Sequence, residues 1–381
     1  MKNLAPFTTP IYVTRPLLPS RDDMVRKIDE IWKSCWLTNN GPQHQLFELA
    51  LEKYLGAPNI SLFCNGTLAL QLACQALRLS GEVITTPFTF PATPHVLYWN
   101  NIKPVFCDIE EYTFNLNPEC IEPLITPETT AILPVHAFGY PCKIDEIQAI
   151  ANRHGLRVIY DAAHCFGVEF NNEPIGNFGD ASMFSFHATK IFHTMEGGAL
   201  TYKDKNLKEQ LELSKNFGFK GEELVLVPGI NAKMNEMQAA MGLLMLNIVK
   251  KESERRKQLT FIYRKRMKSI PGINFRKDLS GVKHNYYNFA IRIDEKEFGM
   301  DRNNLYDKLK EYNIFTRKYF YPLCSRFECY RTQPSASSLN LPVAEKVTGQ
   351  VLSLPLYGDL SSEDINRVCD IISFINKNLK G

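Results

Sequence analysis

Short apolar segments alternate with amphipathic ones between residues 55 and 205, which predicts a largely parallel β-sheet covered by helices. The helix-like stretches between the strands are residues 67–77, 121–125 and 144–155. The last of them has apolar residues at helical spacing and ends in a glycine. The predicted strands are residues 59–63, 82–86, 104–108, 131–135, 157–161, 183–186 and 199–202. This alternation is typical of the α/β class.

A long helical pattern begins at Asn235, and its mostly apolar first half gives way to a heavily charged second half. Such a change predicts a helix that leaves the core of one domain and leads into another. We therefore predict a large domain over residues 1–248 and a smaller α+β domain over residues 249–381. The smaller domain has one predicted strand and two predicted helices, at residues 285–293, 305–312 and 361–376.

The charge balance excludes a general electrostatic attraction to polyanions. The chain has 44 basic and 41 acidic side chains, a formal net charge of +3, without a long basic block. We expect no nucleic-acid partner and no binding to an anionic membrane. The apolar stretch 83–102 lacks charged residues but contains Pro87, Pro91 and Pro94, which argue against a membrane-spanning helix.

The cysteines give no sign of a metal site. Ten are scattered along the chain, without a CxxC pair and without a Cys/His cluster at zinc-like spacing. Several lie inside apolar segments, where a small buried thiol is the simpler interpretation. We expect reduced thiols, a cytoplasmic location and no bound metal.

Candidate chemistry begins with Lys190 in the segment SFHATKIFHTMEGGAL (185–200). A lysine can form an imine with an aldehyde cofactor when its neutral form is available, and burial or a nearby cation makes that possible. An isolated lysine is more often solvated, so its neighbours matter. Ser185, His187 and Thr189 can donate hydrogen bonds to a phosphate group.

Asp161 ends a predicted strand, at the sheet edge where open α/β folds bind ligands. By itself it could simply cap the following turn. Beside an imine-forming lysine it could instead keep the ring nitrogen of pyridoxal phosphate protonated, the state in which that ring accepts electrons. His164 could reach the phenolic oxygen of the same cofactor, or it could be an ordinary residue on a helix face.

Two further segments supply candidate cofactor contacts. Asn65, Gly66 and Thr67 lie between a strand and a helix, and the free N–H groups at a helix start bind phosphate. Turns of this composition are common, and the segment matches neither the P-loop nor the dinucleotide fingerprint. Phe90 could stack on a planar ring, although an aromatic residue in such a segment usually belongs to the core.

Taken in order, these segments resemble those of the DegT/StrS family of sugar aminotransferases. The resemblance extends from WLTNNGPQHQLFE (36–48) to SLPLYGDLSSEDI (353–365) and includes GINAKMNEMQAAMG (229–242) and RKYFYPL (317–323). It implies the aspartate-aminotransferase fold, known as the type I pyridoxal-phosphate (PLP) fold. In that fold a large domain with a mostly parallel, mixed sheet is flanked by helices and followed by a smaller α+β domain.

The resemblance also implies roles for individual residues. Lys190 matches the lysine that forms the Schiff base, and Asp161 matches the acid beside the pyridine nitrogen. Phe90 matches the aromatic residue stacked on the ring, and His164 the residue beside the phenolic oxygen. Asn231 matches an asparagine that contacts the cofactor phosphate of the neighbouring subunit, which implies a homodimer with shared active sites. The remaining phosphate positions are matched by Asn65, Gly66, Thr67 and Ser185.

The implied activity moves an amino group from L-glutamate to a nucleotide-linked keto sugar, with pyridoxamine phosphate as the intermediate form of the cofactor. Segments 185–200 and 317–323 are most similar to members that convert dTDP-4-dehydro-6-deoxy-D-glucose to its 4-amino sugar for O-antigen synthesis. GDP- or UDP-linked and 3-keto substrates stay open. Related sugar dehydratases carry histidine at the position of Lys190, so the lysine argues against that activity and, together with Asp161, against a non-catalytic relative.

Overall fold

The computed structural model describes residues 4–379 of the chain. Its helices are α1 (Arg21–Ser34), α2 (Pro42–Leu55), α3 (Gly66–Ala76), α4 (Ala92–Trp99), α5 (Ile144–His154), α6 (Leu207–Ser214), α7 (Glu236–Leu246), α8 (Val249–Met267), α9 (Glu295–Phe298), α10 (Arg302–Lys310), α11 (Pro342–Gln350) and α12 (Ser362–Asn378). Among residues 4–379, no helix combines the length and the apolar character needed to cross a membrane.

The strands are β1 (Ile11–Tyr12), β2 (Ile60–Phe63), β3 (Glu82–Thr85), β4 (Lys103–Phe106), β5 (Thr129–Leu133), β6 (Arg157–Asp161), β7 (Glu169–Phe170), β8 (Glu173–Pro174), β9 (Ala181–Ser185), β10 (Gly198–Tyr202), β11 (Phe219–Lys220), β12 (Leu224–Val225), β13 (Ile273–Phe275), β14 (Val282–Lys283), β15 (Phe289–Ile293), β16 (Ile314–Phe315) and β17 (Val351–Leu354). Each of the seven strands predicted between residues 55 and 205 is present, which confirms the α/β prediction.

The central sheet has seven strands in the order β2-β10-β9-β6-β5-β3-β4. Strand β10 runs antiparallel to both of its neighbours, β2 and β9, while the other adjacent strands pair in parallel. The sheet is therefore mostly parallel and mixed, as predicted. One consequence is that β2, β9, β6, β5 and β3 all end at the same edge, so the loops that follow them meet there.

The two faces of this sheet are buried under different helices, because successive side chains of a strand point to opposite faces. On β6, Ile159 belongs to the apolar cluster that contains residues of α3 and α4. Its neighbours Val158 and Tyr160 belong to the cluster that contains residues of α2, α5 and α7. The result is a three-layer α/β/α arrangement.

The observed helices differ from the sequence prediction in two places. The predicted helix at 121–125 is wrong: the segment forms 3₁₀ turns at Pro118–Cys120 and Glu122–Leu124, because Pro123 lacks an N–H donor and the stretch is too short to sustain an α-helix. The long pattern after Asn235 divides into α7 and α8, and the break falls at residues 247–248.

A second apolar core lies around the antiparallel sheet β13-β15-β17 and helices α8, α10 and α12. Phe7 and Ile11 from the start of the chain are buried in the same core, and β1 pairs in parallel with β16. The division of the chain at residue 248 stays a prediction, but this core shows that the N-terminal segment packs with the C-terminal third.

Asp108 joins the central sheet to this C-terminal third. It follows β4, is buried, and accepts hydrogen bonds from the backbone N–H groups of Val343 (2.9 Å) and Ala344 (2.8 Å). These amides belong to the first turn of α11, which has no intrahelical acceptor for them. The carboxylate therefore caps a helix that is more than 230 residues away in sequence.

We expect Asp108→Ala to lower the free energy of unfolding by about 1–2 kcal/mol, since it leaves two buried amides of α11 without an acceptor. Urea unfolding followed by circular dichroism measures the change. Asp108→Asn keeps the shape and one acceptor oxygen, so its loss should be smaller. Equal stability of the alanine variant and the wild type would show that the contact contributes nothing.

Candidate active site

The predicted site residues meet in one cavity of about 380 Å³ at the edge where the parallel strands end. It is lined by eight of the nine residues predicted from the sequence: Asn65, Gly66, Thr67, Phe90, Asp161, His164, Ser185 and Lys190. The ninth, Asn231, is exposed and does not line this cavity. The cavity therefore brings together predicted residues that are up to 125 positions apart in sequence, from Asn65 to Lys190.

Asp161 is the last residue of β6, and its buried carboxylate is held from two sides. One oxygen accepts from the Thr93 hydroxyl at 2.8 Å, and the other accepts from the Ala163 N–H at 3.0 Å. Burial raises the pKa of Asp161, while these two hydrogen bonds and the nearby Lys190 act in the opposite direction. The carboxylate thus has a fixed orientation at the cavity wall.

Lys190 lies in the turn between β9 and β10, with its backbone N–H bonded to the His187 carbonyl at 2.8 Å. Desolvation lowers the pKa of its amine to about 8, although Asp161 and Tyr319 favour the charged form. At pH 7 about a tenth of the amine is then neutral, far more than for a lysine in water. That is the property a lysine needs in order to attack an aldehyde.

His164 has a defined protonation state. Burial, with smaller contributions from Lys190 and Arg276, holds its pKa well below the usual value, so the ring is neutral. Its Nδ1 accepts a hydrogen bond from the Phe138 N–H at 3.0 Å. In a neutral ring the proton must then be on Nε2, which makes His164 a hydrogen-bond donor at that atom.

The opposite end of the cavity is formed by the start of α3. Asn65 caps this helix by accepting from the Leu68 N–H at 2.8 Å, which leaves the other first-turn amides without intrahelical acceptors. A Cβ placed on Gly66 would lie 3.1 Å from Cβ of Ser185, and one on Gly198 would lie 2.6 Å from N of Gly66. Both glycines are needed for this close approach, which forms a cradle with free N–H groups of the kind that binds anions.

Phe90 is not a core residue, because 60% of its surface is exposed at the cavity. This removes the alternative that its ring only fills the hydrophobic interior. An exposed aromatic ring at the wall of a cavity offers its face to a planar ligand.

Several residues of the site had not been predicted from the sequence. Thr93 lies in the same segment as Phe90 and does not line the cavity, so its role could have been found only from its contact with Asp161. The lining residues that were missed include four from the C-terminal third: Tyr287, Arg317, Tyr319 and Phe320. The segment 317–323 was part of the resemblance, but neither spacing nor composition connected it with Lys190.

These groups together fit pyridoxal phosphate. The cavity offers an amine with a lowered pKa, a buried carboxylate, an exposed aromatic face and a helix-start cradle for a phosphate. Among residues 4–379, no cluster of three or more histidine, cysteine or acidic side chains is arranged to hold a metal ion.

Comparisons with known proteins agree with this assignment. Residues 20–373 match the model of the DegT/DnrJ/EryC1/StrS aminotransferase family. A dTDP-4-amino-4,6-dideoxy-D-glucose transaminase of Escherichia coli is 44% identical over 95% of this chain and 98% of its own length. The crystal structure of DesI in the presence of its TDP-sugar product superposes with a TM-score of 0.94 at 36% identity, covering 99% of this chain and 96% of DesI.

A Streptococcus pneumoniae protein, Spr1654, solved in its PLP form, has a TM-score of 0.89 at 23% identity, over 97% of this chain and 99% of its own. At that identity the likeness concerns the fold alone.

We expect Gly198→Ala to weaken the binding of pyridoxal phosphate by about 10–100-fold, comparable to losing one hydrogen bond to a charged group. The new Cβ would collide with the backbone of Asn65 and Gly66 and displace the first turn of α3. Absorbance titration of cofactor-free protein measures the affinity. Gly349→Ala is the control, because nothing lies within 4 Å of a Cβ added at that position. Equal affinities of the two variants for the cofactor would show that Gly198 is not needed for binding its phosphate.

Proposed function

Because the chain belongs to the DegT/DnrJ/EryC1/StrS aminotransferase family, we propose that it transfers an amino group from L-glutamate to dTDP-4-dehydro-6-deoxy-D-glucose. The product would be dTDP-4-amino-4,6-dideoxy-D-glucose, a sugar for surface-polysaccharide (O-antigen) synthesis. The observation that carries the proposal is the cavity in which Lys190 and Asp161 meet beside an anion cradle.

The choice of sugar is supported by the named relatives. The Escherichia coli transaminase named for this product aligns with almost the whole chain, and so does a Shigella dysenteriae protein of the same name at 42% identity. The structurally similar DesI was crystallised with a TDP-linked product. Other nucleotide-linked keto sugars remain the alternative substrates.

The cofactor proposal follows from the family and from the donor groups in the cavity. Pyridoxal phosphate supplies an aldehyde that carries nitrogen and a protonated ring that accepts electrons from the substrate carbon. Lys190 would hold its aldehyde carbon, and Phe90 would stack on its ring. The start of α3 with Ser185 would hold its phosphate.

Lys190 has two tasks in this reaction. Once it is free, its amine takes a proton from the α-carbon of glutamate, and it later delivers a proton to the sugar carbon that gains nitrogen. A pKa of about 8 allows both steps near neutral pH, because neither protonation state is strongly disfavoured. The related sugar dehydratases lack this lysine, so its presence supports transamination.

Asp161 and His164 would determine where protons lie around the cofactor ring. The Asp161 carboxylate would oppose the ring nitrogen of the cofactor and favour its protonated form, with Thr93 and Ala163 keeping the carboxylate oriented. His164 would donate from Nε2 to the phenolic oxygen, since its Nδ1 is already an acceptor. Two side chains, Asp161 and His164, would thus set the protonation pattern around one ring.

We expect Lys190→Ala to lower the rate of amino transfer by at least about 10²–10⁴-fold, the usual contribution of a positioned acid–base group. The test is incubation with glutamate and a panel of dTDP-, GDP- and UDP-linked keto sugars, followed by mass spectrometry of the products. Lys143→Ala is the control, because that lysine is on the surface and pairs with Glu110 at 2.9 Å. Normal turnover by Lys190→Ala would refute the role of this residue. If the wild type converts only a different nucleotide-linked keto sugar, the proposed substrate is wrong.

A homodimer with shared active sites is part of the same proposal. Asn231 is exposed and outside the cavity of its own chain, so a role for it at a cofactor phosphate requires a second subunit. Helices α1 and α2 and the loop between them expose large apolar side chains, which are typical of a surface covered by another protein. They are Trp32, Trp36, Leu37 and Leu49.

We expect a mixture of the inactive Lys190→Ala and Asn231→Ala chains to recover about one quarter of the wild-type activity. Half of randomly assorted dimers contain both chains, and each mixed dimer has one intact site if Asn231 acts across the interface. The activity after refolding the mixture measures this, with each variant alone as the control. If mixing restores nothing, Asn231 acts within its own chain or the protein is not a dimer.

A further inference from the structure

Tyr287 is the cavity residue in direct contact with two of the proposed cofactor-binding side chains, and it has no part in the reaction described so far. Its residue surface is only 9% exposed. The amine of Lys190 lies over its ring, 5.2 Å from the centroid. The ring of His164 stacks on it with centroids 4.6 Å apart and an angle of 20° between the planes.

Side chains form hydrogen bonds with both backbone groups of Tyr287. Its N–H donates to Oδ1 of Asn285 at 3.1 Å, and its carbonyl accepts from Nη1 of Arg256 at 3.1 Å. Arg256 is itself fully buried and donates to Glu252 at 2.6 Å. The same Asn285 side chain also donates to the His164 carbonyl at 2.8 Å. The ring is therefore held in a fixed relation to the site.

The groups around the Lys190 amine indicate how the ring of Tyr287 can act on the charged form of that amine. Asp161 attracts the amine, and its two oxygens also accept hydrogen bonds from Thr93 and Ala163. The other titratable groups that act on the amine are Tyr319 and Cys165, and Arg317 lines the same cavity. A cation within about 6 Å of an aromatic centroid is attracted by the negative face of the ring, more strongly where water is excluded.

The charge of Tyr287 itself does not change in the working range. Burial raises the pKa of its phenol to about 12, so the residue offers a neutral ring rather than a phenolate. Since the amine lies over the ring, the stabilisation that this residue offers to the ammonium is that of its π face and not that of a negative charge.

We propose that Tyr287 is a positioning residue for Lys190, whose ring face holds the protonated amine whenever that amine is not bonded to the cofactor. The inference rests on the proposed function, which requires Lys190 to gain and lose a proton in each half of the cycle. On this view the ring keeps the ammonium near the reacting carbon during the interval between its two proton transfers.

The test is to replace Tyr287 by phenylalanine and by its 4-fluoro, 3,5-difluoro and 3,4,5-trifluoro forms. Fluorine weakens the negative face of the ring step by step while shape and hydrophobic packing are nearly kept, so these proteins should fold. The full-length chain without cofactor is labelled with a trace of acetic anhydride over a range of pH. Mass spectrometry of the Lys190 peptide then gives the pKa of its amine.

The pKa of Lys190 should match the wild type with phenylalanine and fall progressively by about 0.5–1 unit across the fluorinated series. At neutral pH this corresponds to a rise of roughly 3–10-fold in the ratio of neutral to protonated amine. Phe217→Leu is the matched control, since it removes the ring 5.0 Å from the amine of another lysine, Lys233, and should leave Lys190 unchanged.

An identical pKa in all four phenylalanine forms would overturn the proposal, because a purely structural ring would give that result. The labelling needs neither the sugar nor glutamate. If the chain did not transaminate, the proposed function would be wrong. The pKa values of Lys190 across the fluorinated variants would still test the contact between the ring and the ammonium.

Discussion

The parallel pairing of β6 with β9 sets the position of both central groups of the site. Asp161, the last residue of β6, lies opposite Met183, so Ser185 and the turn that carries Lys190 follow directly beyond the same edge. A shift of one residue would turn Asp161 to the other face of the sheet, because strand side chains alternate. Strand β10 returns antiparallel from that turn, and its Gly198 supports the start of α3. Amine, carboxylate and phosphate cradle thus depend on one set of registers.

Burial shifts the pKa values of Asp161 and Lys190 in opposite directions. It raises the pKa of Asp161 and lowers that of Lys190, so removal from water favours the neutral form of each. For Lys190 this is useful, because a neutral amine can react. The role proposed for Asp161 requires a charged carboxylate, and the hydrogen bonds from Thr93 and Ala163 oppose the effect of burial. In the proposed reaction the local donors at Asp161 and the ring of Tyr287 at Lys190 thus each favour a charged form against burial.

The sequence was sufficient for the central sheet and for the part of the site that follows it. Each strand was a short apolar segment, and candidate chemistry was visible at the last residue of β6, Asp161, and in the loops after β2 and β9, in Gly66 and Lys190. Tyr287 and Tyr319 could not be connected with them, because tertiary packing alone brings the C-terminal third over the edge of the sheet. The failed helix at 121–125 has a local cause in Pro123, which outweighed the apolar spacing.

The contacts that place the proton of His164 on Nε2 extend well beyond the wall of the cavity. Its Nδ1 is fixed by the N–H of Phe138, a non-glycine residue with a φ of 57°, a conformation kept only when the surroundings impose it. Both backbone groups of the preceding Ala137 are bound by side chains: the N–H donates to Asn115 at 2.8 Å, and the carbonyl accepts from Arg276 at 3.4 Å. Arg276 comes from the C-terminal third, and its guanidinium also packs on the ring of Phe138. The tautomer of a histidine at the sheet edge is thus determined by contacts between both halves of the chain.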